Sequence, residues 1–536
     1  MKVKLYYQLG GVVFLFGFTV YLLHRYISAS RLEERSLELL QVKIQDEPGF
    51  QSPLLKFFQL HDPIDMKWQH ASSSDLGIVG ANRMMSVDID SKTTLNLWMD
   101  HARKVKDVGL KLNFKNMSVL ETCLLHLDDN NYNIHYPVIV HGDVALDNAE
   151  EQGALLADVF FYKIRTTYPA VTFSVGHIPS SVTNTVHQRY MEALWKQIRN
   201  FKQPIFITVC ASVIRRSWLP VRWLLNQSQD ISLIITYSSS NYFCSGVSVF
   251  DLLFVRNDWP KERVFFDIPE ANMDRFRKAA VTAGSPLHYF GLQDAAKITW
   301  AHRVTNMKYL KETMKGDTMF IESDVLLVSQ DSKDDTAIPI MAHPPEVHSD
   351  LNVKDFLRMA GTSGKGIKLD FKDLESVEPS LRLLAEINNG GGITAPLWIN
   401  ADILTGPNTD KKGLNASVFL SKIDAIFPEV TLSLGWTTEW LKTGDNVGYS
   451  LSMVQTMNTH AIMLRQPVTF PVRASLVRKS WENLLWLLRQ SRGYSLTIWT
   501  PFPNEDVVEL EDMHFVRNHS EATKVYFDLP KDLMPT

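Results

Sequence analysis

The chain has 536 residues, 45% of them hydrophobic, which is enough for two or three domains with full cores. Its formal net charge of −4 supplies no general attraction for nucleic acid, and no nucleic-acid partner is expected. Cys123, Cys210 and Cys244 permit one disulfide, but they exclude a cysteine framework and lack zinc-ligand spacing.

In chain order, residues 9–23 (LGGVVFLFGFTVYLL) are almost wholly apolar, with Lys2 and Lys4 before them and His24 and Arg25 after them. The pattern predicts a single membrane-spanning helix in a signal anchor, or else a cleavable signal peptide, over residues 1–25. Residues 26–58 follow as a stem, in which charges alternate with leucines at helical spacing until Glu47-Pro48-Gly49. Four acceptor sequons begin at Asn116, Asn226, Asn415 and Asn518. They predict a glycoprotein with a lumenal or extracellular body, either single-pass type II or secreted.

The remainder repeats itself. Gly109–Lys115 (GLKLNFK) returns as Gly366–Lys372 (GIKLDFK), and Phe254-Val255-Arg256-Asn257 returns as Phe515-Val516-Arg517-Asn518. Phe266-Asp267-Ile268-Pro269 likewise returns as Phe527-Asp528-Leu529-Pro530. Offsets of 257 and 261 residues describe one duplicated domain rather than a short-period solenoid. The first copy is placed at 59–270, a helical connector at 271–290 and the second copy at 291–536.

Within the second copy, runs of branched and aromatic residues alternate with helical patterns. The runs are Lys297–Ala301, Met319–Val325, Ile338–His343, Gly366–Phe371, Pro396–Asp402, Thr431–Trp436, Val468–Arg473 and Ser495–Thr500, with Val525–Asp528 as a ninth candidate. Strand–helix alternation predicts an α/β fold with a parallel sheet, and eight runs predict a (β/α)8 TIM-type barrel. Duplication makes two tandem barrels, with an open doubly wound sheet as the alternative.

Barrel chemistry gathers at the carboxyl ends of strands. His302, Glu322, Asp324, His343, Lys368, Asp370, Asn400, Arg473 and Trp499 all fall at or near such ends. Side chains two apart in a strand share a face, so Glu322 joins Asp324 and Lys368 joins Asp370. Three carboxylates at one mouth repel each other unless a cation intervenes, and oxygen-only ligation by Glu322, Asp324 and Asp370 suits Mg2+ or Ca2+. Two imidazoles, His302 and His343, divide the proton work, while Lys368, with Arg473 in reach, stabilises phosphoryl charge. Asn400, Arg473 and Trp499 complete a substrate-binding set, with Arg473 equally open to a structural ion pair. An Asp after a strand often caps the next helix, which is the preferred reading of Asp402.

His302-Arg303, Glu322-x-Asp324 and Pro339-Ile-Met-Ala-His343 resemble the opening of the phospholipase C-like phosphodiesterase superfamily. That superfamily includes glycerophosphodiester phosphodiesterases and spider-venom phospholipase D toxins. Residues 339–345 (PIMAHPP), 365–372 (KGIKLDFK), 398–408 (WINADILTGPN) and 431–438 (TLSLGWTT) resemble the menorin family more closely. The resemblance implies barrel folds, His302 and His343 as the catalytic pair, and Glu322, Asp324 and Asp370 as ligands of a divalent metal. It implies a phosphodiesterase, or a phospholipase D-like lyase, acting on a phosphodiester or lysophospholipid small molecule. Val304 replaces the glycine usual after His-Arg, the downstream Pro-Glu-Asn element is missing, and proline rather than aspartate follows His343, departures that weaken the implication of a glycerophosphodiester substrate and of turnover. The alternative is a non-catalytic extracellular ligand or adhesion component in cell-surface or neuronal patterning, with a cell-surface protein as partner.

The first copy serves as a control. His70 aligns with His302, and Asp88 and Asp90 are matched to Glu322 and Asp324. A 22-residue gap then removes any equivalent of His343, while Asn113 replaces Asp370, His141 replaces Asn400 and Cys210 replaces Arg473. The first barrel is therefore expected to be degenerate and without metal-dependent turnover.

Overall fold

The computed structural model describes residues 52–535, apart from 72–81, 106, 147–153, 177–184, 239–243, 328–338, 443 and 502–505. The anticipated anchor at 1–25 and the stem up to residue 51 lie outside the described residues. Among those described, no helix is long and apolar enough to cross a membrane.

Among the described residues two nine-stranded sheets follow one another along the chain, each with eight parallel strands in sequential order and one two-residue strand, Leu155–Leu156 or Ile340–Met341, off that path. The first contains β1 (Lys67–Ala71), β2 (Arg83–Ile89), β3 (Val108–Phe114), β4 (Val138–Ala145), β5 (Thr172–Gly176), β6 (Ile205–Cys210), β7 (Ile231–Thr236) and β8 (Val264–Asp267). In the second are β9 (Trp300–Ala301), β10 (Phe320–Leu326), β11 (Gly366–Phe371), β12 (Leu397–Thr405), β13 (Thr431–Thr437), β14 (Val468–Arg473), β15 (Tyr494–Trp499) and β16 (Val525–Asp528). With helices between successive strands, except between β1 and β2, where residues 72–81 lie outside the described residues, each sheet is a nearly closed α/β barrel of TIM type, and the open-sheet alternative falls away.

Alternation along β11 shows why these runs form barrel walls. Ile367, Leu369 and Phe371 join the outer core with Phe356, Leu381 and Phe419 of the surrounding helices, whereas Lys368 and Asp370 take the opposite face. Inside, Trp300, Phe320, Trp398 and Tyr526 close the amino-terminal end, with ring centroids 4.7 Å (Trp300–Phe320) and 5.1 Å (Phe320–Trp398, Trp398–Tyr526) apart. A Cβ at Gly366 would lie 2.5 Å from the Phe320 ring, and one at Gly109 would strike Met84. The glycine that opens both GxKLxFK repeats is thus the space that a bulky floor residue needs.

First and last strands meet through side chains. His70 Nε2 lies 2.8 Å from Asp267 Oδ1 in the first barrel, and His302 Nδ1 lies 3.0 Å from Asp528 Oδ2 in the second. Cys210 and Cys244 are disulfide-bonded, and Cys123 is free and buried.

One expected strand is corrected. The Ile338–His343 run supplies no barrel strand: only Ile340–Met341 is extended, antiparallel to Val325–Leu326 at the end of β10. Two-residue β9 pairs only with Phe320 and Ile321, which leaves the far end of that edge open for Ile340–Met341. Val525–Asp528, held as a surplus candidate, is the eighth barrel strand.

Candidate functional site

Strand register brings the acids together. Glu322 stands opposite Lys368, Asp324 opposite Asp370, and Asp370 opposite Asn400. One carboxylate oxygen from each of Glu322, Asp324 and Asp370 lies within 4.8 Å of the others, near the carboxyl ends of β10 and β11. Burial pushes the Glu322 carboxyl up to about 7, with Asp324 and Asp370 adding to the rise and His302 opposing it. Asp370 moves the other way, because the charges of Lys372 and Lys368 outweigh its burial.

His302 follows β9 in a turn where Arg303 adopts φ 56°, a left-handed backbone costing on the order of 1 kcal/mol for a residue with a Cβ. That turn aims the Arg303 N–H at Glu322 Oε2, 2.7 Å away. Burial alone would suppress the His302 imidazolium, but the negative charges of Asp528 and Glu322 more than offset it and raise its pKa to about 9. His343 leaves the short Ile340–Met341 strand and is held lower than an ordinary imidazole, by burial first and by Lys372 and Arg303 against the pull of Asp324. Its Nδ1 is 2.5 Å from the Pro344 carbonyl, so in the neutral ring Nδ1–H donates there and Nε2 keeps its lone pair.

Several participants carried no sequence signal strong enough to single them out. Lys372 Nζ bridges Asp324 Oδ1 at 2.9 Å and Asp370 Oδ2 at 2.6 Å. Asp528 orients His302, although only the repetition of its Phe-Asp-x-Pro setting marked it in the sequence. Asp402 is not the helix cap expected of it: Asn415 caps helix Ala416–Ile426, accepting from Val418 N–H. The Asp402 side chain lies instead against Gly435, where a Cβ would strike its Oδ1, and burial together with Asp370 pushes its pKa up to about 7.

The expected substrate-binding residues divide. Buried Asn400 donates to Asp370 Oδ1 at 2.6 Å and accepts from Ser433, which makes it a support for the acid cluster. Arg473 forms a bidentate pair with Asp506, both bonds 2.6 Å, donates to the Thr438 carbonyl, and lies 5.6 Å from the half-buried Trp499 ring. Of its two readings, the ion pair describes the geometry. Lys368 is buried between Glu322 and Trp398 in register.

Register also corrects the internal control. Ser86 pairs with Lys111 and Asp88 with Asn113, so Ser86 matches Glu322 and Asp88 matches Asp324. The sequence match of Asp88 and Asp90 to Glu322 and Asp324 is two residues out of register, because Asp-Ile-Asp (88–90) imitates Glu-Ser-Asp (322–324), a shift that period-two strands conceal. Only one of the three acids persists in the first barrel. Among the described residues, its mouth sets Asp88, Asp143 and Asp267 beside Lys111, Lys115 and His70, whereas the second sets Glu322, Asp324, Asp370, Asp402 and Asp528 beside Lys368, Lys372 and His302. Among these named groups acids and basic side chains are equal in number at the first mouth, while acids outnumber basic side chains at the second. The oxygens of Glu322, Asp324 and Asp370 form a donor set that a divalent cation would fit: hard, close together and partly desolvated.

Among the sequons, Asn116, Asn415 and Asn518 are exposed, and the first two cap helices through Oδ1, leaving Nδ2 for a glycan. Asn226 is half-buried at a helix end. In a secretory host, replacing Asn116, Asn415 or Asn518 by Gln is expected to remove one glycan step on a gel, and Asn226→Gln none.

Two tandem α/β barrels, of which the second has a mouth lined by three clustered acids and two histidines and the first keeps one of those acids, define the class. Residues 67–273 and 294–534 each match the menorin N-terminal domain, and the chain belongs to the menorin family. Over 263 residues it is 44% identical to Protein FAM151B of Homo sapiens, spanning 47% of this chain and 93% of that relative.

Proposed function

We propose that the second barrel is a divalent-metal-dependent phosphodiesterase acting on phospholipid-derived or glycerophosphodiester substrates, lysophospholipids included. The observation that carries this reading is the convergence of the Glu322, Asp324 and Asp370 oxygens within 4.8 Å, beside two imidazoles of opposite protonation tendency. Mg2+ or Ca2+ held by those acids would polarise the phosphoryl oxygens and neutralise their charge. His343, neutral near pH 7, takes a proton from attacking water through Nε2 or itself attacks phosphorus. His302, charged and anchored through Nδ1, gives its Nε2 proton to the alkoxide that departs with the P–O bonding pair. Lys368 stabilises the phosphoryl charge, Asn400 fixes Asp370, and Trp499 walls the mouth. The body is proposed to be lumenal or extracellular and glycosylated, anchored through residues 1–25 or secreted.

Hydrolysis across a phosphodiester panel, with and without chelator, tests the reading; metal-independent rates, or none, would overturn it. Activity requires His343 neutral and His302 protonated, so kcat/KM should rise through the lowered His343 pKa and fall as pH passes about 9. Asp528→Asn removes the charge that holds His302 protonated, and the alkaline limb should move down toward the ordinary imidazole value of about 6.5. An unmoved limb excludes His302 as the acid. The Lys372 ammonium among the acids favours a second reading, a pocket kept for binding or stability in a cell-surface ligand. Metal binding without hydrolysis would select it.

A further inference from the structure

The acid cluster already contains a cation of its own. Lys372 Nζ lies 2.9 Å from Asp324 Oδ1 and 2.6 Å from Asp370 Oδ2, and so engages two of the three carboxylates that would hold a metal. It is enclosed there: the Lys372 side chain is 22% exposed, Asp370 15% and Asp324 4%. The first barrel shows that this contact does not depend on a complete acid set. Lys115, the counterpart of Lys372, pairs with Asp88 at 2.7 Å although Ser86 and Asn113 have replaced the other acids, and there the pair is exposed, at 73% and 63%. Enclosure of the lysine therefore accompanies the three-acid mouth alone.

We propose that Lys372 is a tethered competitor for the divalent-metal position, holding the apo cluster together and leaving it when metal binds. The inference rests on the metal reading above and adds a regulatory property to it. An ammonium and a divalent cation cannot share two carboxylates a few ångströms apart without strong repulsion, so occupancy by one expels the other. Metal affinity is lowered by the stability of the lysine bridge, and the apo barrel is spared the repulsion of unneutralised buried acids. The lysine must move as metal enters, because Asp324 and Asp370 belong to the strands while its own four-carbon stem is flexible.

Two measurements on the full chain test this. Titration calorimetry with Mg2+, Mn2+ and Ca2+ should show Lys372→Met binding about tenfold or more tighter than the unaltered protein, with Lys372→Arg no tighter. In the unaltered protein, mass spectrometry after brief acylation should show Lys372 protected without metal and modified about tenfold faster at saturating metal, a readout independent of how the variants fold. Equal or weaker metal affinity in a folded Lys372→Met, or Lys372 reactivity that metal leaves unchanged, overturns the competition while the metal site stands. Absence of metal binding in both the unaltered protein and Lys372→Met removes the metal reading itself.

Discussion

His302→Ala and His343→Ala are each expected to lower phosphodiester hydrolysis by about 10²- to 10⁴-fold, the usual contribution of one positioned acid or base. The double variant should lose little more than the more damaged single one, because the two groups act on one transition state. His302 also bridges the first and last strands through Asp528, so its loss leaves a carboxylate only 3% exposed without its cation. His70→Ala separates the two effects: it removes the same strand-to-strand contact from the first barrel, through Asp267, and should leave hydrolysis unchanged. Paired kinetic and thermal-unfolding measurements decide the matter. If His302→Ala destabilised the chain as His70→Ala does and hydrolysed normally, the imidazole would be a clasp and not an acid.

Asp506→Ala is expected to destabilise the second barrel by about 3–5 kcal/mol, since it strands a buried guanidinium. Asp506 has no exposed side-chain surface and Arg473 has 8%, and the pair is bidentate, with Ser475 donating a further bond to the same carboxylate. Replacing both charges together, as in Arg473→Met with Asp506→Leu, should recover most of the loss, because a well-packed apolar pair avoids desolvating either ion. Denaturant unfolding followed by tryptophan fluorescence measures both. A single-variant loss below about 1 kcal/mol would show that the pair is solvated. It would then return Arg473 to the phosphate-binding role that its place at the end of β14 first indicated.

Much of the site was legible because strands impose a period of two. Glu322 with Asp324, and Lys368 with Asp370, could be set on one face from spacing alone, and the structure places these acids together. Lys372 is in phase with them, yet it drew no attention, since a lysine just past a strand is usually solvated. Asp402 was misjudged because a carboxylate after a strand has two common fates, and the choice depended on Gly435, a glycine 33 residues away. The slip that matched Asp88 and Asp90 to the wrong acids has the same origin: period two assigns a face but not a position along it.

By itself the sequence determined the duplication, the α/β barrel class, the menorin kinship and the asymmetry of charge between the copies. These follow from local patterns and repeated words, which need no knowledge of what lies across the barrel. Tertiary structure alone decided that Arg473 answers to Asp506, that Lys372 sits between two acids and that Asp528 holds His302. Each of those arrangements joins separate segments, Lys372 through Asp324 of the neighbouring strand, and its energy depends on a distance and a degree of desolvation that exist only once the barrel has closed.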